Sequence, residues 1–225
     1  MDISPRGYGA FNSCFNGHPM LFGGLTVDFE EESIMIAQPS FSIDSLTTSL
    51  GRAGVGINES TFWVVGGSGN GDELAIENTS DFIMFNKKEI SIKKGPTLDF
   101  QQYGLEGIFN HGMIKYSDKA IFIIGGIGNE EDNYGEPNLK PLDKTWIVDP
   151  SDNFKLTESF SMNVGRLCPG CGKFEINGET IIIIVGGARE IGLSNSSLNS
   201  VELFDASRGC WILGMYSFLK PIFFL

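Results

Sequence analysis

Ile121-Phe122-Ile123-Ile124-Gly125-Gly126 is an apolar run closed by two glycines. A continuous run of β-branched and aromatic residues favours a strand buried on both faces, and a following glycine pair allows the backbone to bend sharply. The arrangement occurs four times, and each run ends in a pair: Gly23 and Gly24, Gly66 and Gly67, Gly125 and Gly126, Gly186 and Gly187. A recurrence about every 40 to 60 residues predicts a repeated supersecondary unit.

The sequence around each glycine pair predicts four short antiparallel strands per unit. A polar turn precedes the apolar run, at Asn16-Gly17, Asn58-Glu59-Ser60, Ser117-Asp118-Lys119 and Asn177-Gly178. Asn-Gly favours a hairpin because a type I′ turn needs positive φ at both central residues. A third segment follows the pair at 34–37, 82–86, 145–150 and 201–205, and a fourth lies at 41–43, 90–92, 154–156 and 210–213. No segment has a sustained 3.6-residue apolar period, so no helix of consequence is expected.

Four-stranded units in tandem, each with an apolar second strand, are typical of a β-propeller, in which neighbouring blades cover the inner strands. The pattern resembles kelch repeats: a hairpin, an apolar run, Gly-Gly, a loop, an aromatic strand ending in Asp, and a later Trp. Phe204-Asp205 followed by Trp211 matches that last element. Asn110-His111-Gly112 and Gly165-Arg166 resemble the His-Gly and Gly-Arg of the repeat. The resemblance covers residues 7–214, although the first three units lack the Trp of the final strand.

The resemblance implies an all-β, kelch-type β-propeller of four-stranded antiparallel blades in an incomplete ring. We expect one domain over residues 1–214, with blades at approximately 7–50, 51–98, 104–158 and 163–214. Kelch-like proteins usually close a ring of about six blades, so we expect these four blades to belong to a longer propeller. Residues 215–225 form an apolar tail, which we expect either to begin a missing blade or to close the ring as a strand.

Composition and charge narrow the classes of function. The 225 residues include 29 Gly and 18 Phe and are 20% charged, which favours many short strands joined by turns. A formal net charge of -12 repels nucleic acid and anionic membranes and attracts basic peptides or cations. The first residues do not have the pattern of a signal peptide, and no apolar run reaches the ~20 residues of a membrane span. We therefore expect a cytoplasmic location.

Cysteines and glycosylation sequons leave a secreted protein as the alternative. Cys14, Cys168, Cys171 and Cys210 are too sparse for the disulfide framework of a small secreted domain. Cys168-Pro169-Gly170-Cys171 has the spacing of a redox or metal pair, but no second pair or His cluster accompanies it, and we expect it in a loop between strands. Three Asn-x-Ser/Thr sequons begin at Asn58, Asn78 and Asn195 and would matter only in a secreted kelch module.

Enzymatic function is the less favoured class. Residues 66–71 mimic a dinucleotide fingerprint, but the residues that follow are acidic and predict no helix, so phosphate binding is not expected. Copper-radical oxidases that share the kelch-type propeller use two His and two Tyr. His18 and His111, the only histidines here, stand at repeat positions and are expected to be structural. We thus predict no catalytic residues, metal or cofactor, with a degenerate, galactose-oxidase-like enzyme as a further alternative.

Acidic residues follow three of the glycine pairs. The segment 128–137 holds four acids and no basic residue. Equivalent loops of a propeller emerge on one face, so we expect a negative rim with these candidate binding residues: Glu30, Glu31, Asp72, Glu73, Glu130, Glu131, Asp132, Tyr134 and Glu136. Loops on a rigid scaffold carry recognition, and acidic fields attract basic partners. The alternative is a set of solvated loops that only keep the chain soluble.

These features together predict a non-enzymatic scaffold for protein–protein interaction. The expected partner is a protein: either a basic peptide or, as the kelch resemblance implies, a ubiquitin-ligase-type assembly. Neither nucleic acid nor a membrane is expected as a partner.

Overall fold

The computed structural model describes residues 10–15, 18–22, 33–36, 42–44, 51–68, 76, 78–85, 90–131, 137–191 and 196–215. Within these residues, four antiparallel four-stranded sheets fit a propeller-like all-β fold. Each of these sheets takes its strands in chain order, so every strand pairs with the next strand of the same sheet. The prediction of repeated four-stranded antiparallel units is confirmed for this part of the chain.

The first sheet contains β1 (Ala10–Phe15), β2 (His18–Phe22), β3 (Ser33–Ile36) and β4 (Ser42–Asp44). The second contains β5 (Ala53–Asn58), β6 (Thr61–Val65), β7 (Ser80–Phe85) and β8 (Ile90–Lys94). A 3-10 helix (Gln101–Tyr103) and the short strand β9 (Ile108–Phe109) follow. The third sheet contains β10 (Gly112–Ser117), β11 (Ala120–Ile124), β14 (Thr145–Asp149) and β15 (Lys155–Glu158), with β12 (Ile127–Glu131) and β13 (Pro137–Pro141) inserted in the chain between β11 and β14. The fourth contains β16 (Gly170–Ile176), β17 (Glu179–Val185), β18 (Ser200–Asp205) and β19 (Cys210–Met215).

The second strands of the second and third sheets are covered on both faces. β6 is buried from Phe62 to Val65, and β11 is buried from Ile121 to Ile124. Successive strand residues point to opposite faces, so a strand with both faces in the core needs an unbroken apolar run. In β17 only Ile182 and Ile184 are fully buried, and the alternate residues between and beside them are half-buried. The fourth sheet therefore buries one face of its second strand more completely than the other.

The backbone turns sharply after each apolar run that the structure describes. The glycines of the three described pairs all have positive φ: Gly66 67°, Gly67 119°, Gly125 62°, Gly126 94°, Gly186 63° and Gly187 86°. A side chain with a Cβ rarely adopts these angles, which explains the need for glycine at the strand exit. Gly23 and Gly24 lie outside the described residues. The hairpin turn at Asn177 and Gly178 has φ values of 54° and 82°, as a type I′ turn requires.

The chain divides into two compact units, Met1–Asn110 and His111–Phe224. In the second unit, the third and fourth sheets share a core that contains these residues: Ile114, Phe122, Ile124, Met162, Ile182, Ile184, Phe204 and Trp211. The ring centroids of Phe122 and Phe204 lie 5.2 Å apart, and those of Phe204 and Trp211 also lie 5.2 Å apart. Both separations are typical of favourable aromatic pairs. Trp211, which follows Asp205 at kelch-like spacing, is thus part of the core between the two sheets.

Three local features differ from the sequence-based expectation. The acidic segment after Gly126 is not an open loop, because residues 127–141 form the hairpin β12–β13. Cys171 lies in β16, where it pairs with Ile184, instead of in a loop between strands. His111 lies directly before β10 and not within it, whereas His18 is the first residue of β2. The polar stretch at 128–131 has no β-branched residues, so its composition gave no strand signal.

Candidate functional site

The candidate site lies on the connections between the second and third strands of the sheets. In each connection that the structure describes, the residue after the glycine pair starts an antiparallel bridge: Ser68 with Ile76, Ile127 with Pro141, and Ala188 with Ser197. Each bridge closes the base of its connection at the same position relative to the glycine pair. The three connections are therefore equivalent elements of their sheets.

The glycine pair fixes the base of each connection through backbone hydrogen bonds. The first glycine donates its N–H to a carbonyl at the start of the third strand: Gly66 to Thr79 at 2.8 Å, Gly125 to Lys144 at 3.0 Å, and Gly186 to Ser200 at 3.1 Å. The carbonyl of the second glycine accepts from the residue that ends the connection, Gly126 from Leu142 and Gly187 from Leu198, both at 2.8 Å. The connection is therefore held on both sides where it leaves the sheet.

The third connection extends beyond this base into the hairpin of residues 127–141, which we call the acidic hairpin. Its ladder has five residue pairs in register, from Ile127 opposite Pro141 to Glu131 opposite Pro137. Glu130 and Glu131 thus lie at the distal end of a strand ladder. The structure gives this acidic segment a defined backbone, which a free loop would not have.

The other predicted binding residues lie outside the described part of the chain. They are Glu30, Glu31, Asp72, Glu73, Asp132, Tyr134 and Glu136. The structure brings Glu130 and Glu131 together on β12 and describes no further member of the set. A single negative rim formed by all three acidic segments stays a prediction.

A buried ion pair supports the glycine exit of the fourth sheet. Arg166 is fully buried, and its Nη2 donates to Glu202 Oε1 at 2.6 Å while its Nη1 donates to the Gly186 carbonyl at 2.8 Å. Glu202 also accepts hydrogen bonds from the backbone N–H and the side-chain amide of Asn163, at 2.7 and 2.9 Å. These bonds satisfy both charges in a site from which water is excluded.

The second sheet repeats this support with different residues. Arg52 is 2% exposed, and its Nε donates to the Gly66 carbonyl at 2.8 Å. Its Nη1 donates to Asp81 Oδ2 at 2.7 Å. Asp81 lies opposite Val64, as Glu202 lies opposite Ile184, so the acids hold equivalent places on the third strands. Both arginines therefore tie the first glycine to the third strand of the same sheet.

The third sheet has no arginine or acid at these positions. Trp146 lies opposite Ile123, at the place of the acid, and it is fully buried. His111, directly before β10, occupies the place of Arg52 and is 5% exposed. Sequence reasoning compared Gly165-Arg166 with the repeat but missed Arg52 and both acids. A charged residue second in an otherwise apolar strand was the available signal.

Two aspartates at the far end of the third strands form identical turns. Asp149 Oδ1 accepts from the N–H of Ser151 at 2.8 Å and from its hydroxyl at 2.6 Å. Asp205 Oδ1 accepts from the N–H and hydroxyl of Ser207 at 2.9 and 2.6 Å. The serine hydroxyl bond is the largest cause that lowers the pKa of each carboxyl below its ordinary value of 3.8. These carboxylates are used to fix turns.

The two cysteines of the CxxC segment are free thiols with unfavourable surroundings for a thiolate. Burial raises the pKa of Cys171 to about 12, against a smaller opposing effect of Arg166. Burial of the sulfur raises the pKa of Cys168 to about 11, although the residue as a whole is exposed. A Cβ at Gly112 would collide with the Cys171 sulfur, so this thiol packs directly against β10. Thiolate chemistry at neutral pH is therefore disfavoured at both positions.

Neither a metal centre nor a membrane helix is found in the described residues. No group of three or more His, Cys, Asp or Glu side chains there lies close enough to hold a metal ion. Over the same residues, no helix has the length and apolar character needed to cross a bilayer.

Comparison with known proteins shows similarity of fold alone. A scan against models of protein families finds no match to this sequence, and a search of curated proteins also finds none. Among 142 solved chains with a similar fold is the structure of YjhT, with a TM-score of 0.65 and 13% sequence identity. The similarity covers 94% of this chain and 70% of the YjhT chain. At that identity the likeness extends to the arrangement of the strands and not to function.

Proposed function

We propose that this protein is a non-enzymatic scaffold of the kelch-repeat type that binds a basic segment of a partner protein through the acidic hairpin. The observation that carries the proposal is the paired backbone of residues 127–141, which holds Glu130 and Glu131 at the end of a ladder anchored to the third sheet. A rigid element presents charged groups to a partner with less loss of conformational entropy than a mobile loop. The hairpin is therefore better suited to recognition than an unstructured acidic segment.

The base of the hairpin supports its orientation. Gly125 and Gly126 bond to both sides of the connection, and Leu142, directly after β13, is buried. The hairpin thus leaves the sheet at an angle set by backbone bonds and by an apolar anchor. A partner that met it would encounter the distal acids at a fixed height above the third sheet.

Electrostatics favours a basic partner. The formal net charge of -12 gives a negative field over the molecule, and Glu130, Glu131, Asp132 and Glu136 add a local concentration of acids within it. Such a field accelerates encounter with basic segments, and the effect is screened by salt. The buried charged groups Arg52, Asp81, Arg166 and Glu202 hold the strand exits, so the proposed role uses the surface acids.

The test compares two variants that remove equal charge from two hairpins. Glu130→Gln/Glu131→Gln neutralises the acidic hairpin, and Glu175→Gln/Glu179→Gln neutralises the exposed acids of the hairpin β16–β17. Binding of a fluorescent Lys/Arg-rich synthetic peptide is measured by anisotropy at low and at physiological salt. We expect the first variant to bind about three- to tenfold more weakly than the parent, as two surface charge contacts would give, and the second to bind like the parent.

Equal weakening by both variants would mean that the peptide responds only to net charge, and it would overturn the proposed role of the hairpin. Unchanged binding by Glu130→Gln/Glu131→Gln would have the same consequence. A pull-down from source lysate with both variants as baits then identifies the natural partner as a protein recovered by the parent and by Glu175→Gln/Glu179→Gln, but lost from Glu130→Gln/Glu131→Gln.

A further inference from the structure

The hairpin turn between β5 and β6 contains the sequon Asn58-Glu59-Ser60, and all three of its residues are exposed. We propose that Asn58 is an acceptor for an N-linked glycan, and that the fold distinguishes it from the sequon at Asn78. The inference is independent of the proposed partner surface. It bears on the compartment of the chain, because N-glycans are added in the secretory pathway.

The geometry at Asn58 matches the demands of the transfer. The Oδ1 atom of Asn58 accepts a hydrogen bond from the backbone N–H of Ser60 at 2.9 Å and another from the Ser60 hydroxyl at 3.1 Å. Both bonds are local, so the turn can form without the rest of the sheet. They leave the amide nitrogen Nδ2 of Asn58 directed to neither Ser60 group.

A carboxamide nitrogen is a poor nucleophile because its lone pair is delocalised onto the carbonyl oxygen. Hydrogen bonds to Oδ1 stabilise the negative charge that this oxygen carries when Nδ2 loses a proton, and they make that proton easier to remove. Nδ2 then attacks C1 of the first sugar of a lipid-pyrophosphate-linked oligosaccharide. The N–C1 bond forms, the C1–O bond breaks, the lipid pyrophosphate leaves with its electron pair, and the Nδ2 proton passes to a base of the transferase.

The sequon at Asn78 lacks these features, although its sequence is equally suitable. Ser80 is 1% exposed, and its hydroxyl donates to the Pro96 carbonyl at 2.5 Å. Ser80 is also the first residue of β7, where it pairs with Val65. The third residue of this sequon is therefore built into a sheet, and Asn78 itself is half-buried. Asn195 lies outside the described residues.

A glycan at Asn58 would leave the strand-exit end of the second sheet uncovered. β6 runs from Thr61, beside the Asn58 turn, to Val65, beside the glycine exit. At about 3.3 Å per residue these ends are separated by roughly the length of the strand. Modification at the turn and recognition at the connections between second and third strands are compatible within one sheet.

The experiment directs the full chain through the secretory pathway of a eukaryotic host behind a cleavable leader. Intact mass is measured before and after treatment with a peptide N-glycosidase, on the parent and on Asn58→Asp, Asn78→Gln, Ser60→Ala and Ser60→Thr. Asn58→Asp is the matched control because it keeps the Oδ1 acceptor of the turn and removes the nitrogen alone. We expect a glycan-sized mass loss in the parent, in Asn78→Gln and in Ser60→Thr, and at least a tenfold lower occupancy of the Asn58 site in Asn58→Asp and Ser60→Ala.

Peptide mapping after glycosidase treatment in heavy-oxygen water assigns the modified asparagine directly. A parent without glycan at Asn58, or a parent with equal occupancy at Asn58 and Asn78, would overturn the proposal. Circular dichroism of Asn58→Asp separates loss of the acceptor from loss of the fold, because this variant is expected to melt with the parent.

Discussion

The third and fourth sheets leave their second strands through the same backbone geometry, but they stabilise the exit with different side chains. Gly125 and Gly186 have φ values of 62° and 63°, and each donates its N–H to a carbonyl at the start of the third strand. In the fourth sheet the buried pair Arg166 and Glu202 surrounds that exit. In the third sheet the acid is replaced by the buried Trp146.

This difference teaches that the backbone of the exit is fixed while its filling is exchangeable. The positive φ of the glycine pair is present in every described exit, whereas the side chains around it are ionic in two sheets and aromatic in one. A buried ion pair adds little net stability over apolar residues of similar volume, but an unpaired member is strongly destabilising. The charges at the fourth exit are therefore expected to matter as a pair and not individually.

The strongest test of this comparison separates the members of the ionic pair. Arg166→Met leaves Glu202 buried without its cation, and we expect the free energy of unfolding to fall by about 3–5 kcal/mol. Arg166→Met/Glu202→Leu makes the fourth exit apolar, as the third is, and we expect it to regain most of that loss. Guanidinium denaturation followed by circular dichroism measures both, with an unchanged m-value as the check that the folded state is intact.

Lys144→Met is the matched control, because it breaks the ion pair of Lys144 with Glu158, whose side chains are both 38% exposed. An exposed pair of this kind contributes about 0–1 kcal/mol. If Arg166→Met/Glu202→Leu is as unstable as Arg166→Met, the hydrogen bonds of Arg166 to the Gly186 carbonyl are required, and the two exits are not exchangeable.

The glycines themselves offer a second test, with a smaller expected effect. Alanine at Gly186 would adopt a left-handed angle with Leu198 O as its nearest neighbour, 3.6 Å from the new Cβ, so only backbone strain of about 1–2 kcal/mol is expected. Alanine at Gly125 would carry the same strain and also place Cβ 2.6 Å from Arg166 O. We therefore expect Gly125→Ala to destabilise by roughly 3 kcal/mol, measured by thermal and chemical denaturation.

Gly178→Ala serves as the control for strain alone, because Gly178 has a φ of 82° and no atom lies within 4 Å of the position that a Cβ would take there. It is expected to behave like Gly186→Ala. Equal losses for Gly125→Ala and Gly186→Ala would show that the third exit relaxes as easily as the fourth, which would remove crowding from the comparison.

Much of the fold followed from local sequence because each signal is local. The continuous run from Ile121 to Ile124 can only be buried on both faces, and the glycines after it mark the bend. The ionic supports could not be found in this way, because Arg166 and Glu202 are 36 residues apart in the chain and meet only when the sheet has formed. The acidic hairpin was missed because polar residues such as Asn129 form a strand only when an existing ladder pairs with them.

The far ends of the same two sheets provide the smallest and most selective test, because here the sheets agree. Asp149 and Asp205 accept the same pair of hydrogen bonds from Ser151 and Ser207, and these bonds lower the pKa of each carboxyl below 3.8. The unfolded chain therefore takes up a proton before the folded chain as the pH falls. The resulting stabilisation is complete well above pH 3.8 and is lost as the pH falls through the lowered pKa values. We expect Asp149→Asn and Asp205→Asn each to flatten the fall of stability below pH 4 by a similar small amount, measured by denaturation at a series of acid pH values. A large difference between them would show that the turns, like the exits, are held differently in the two sheets.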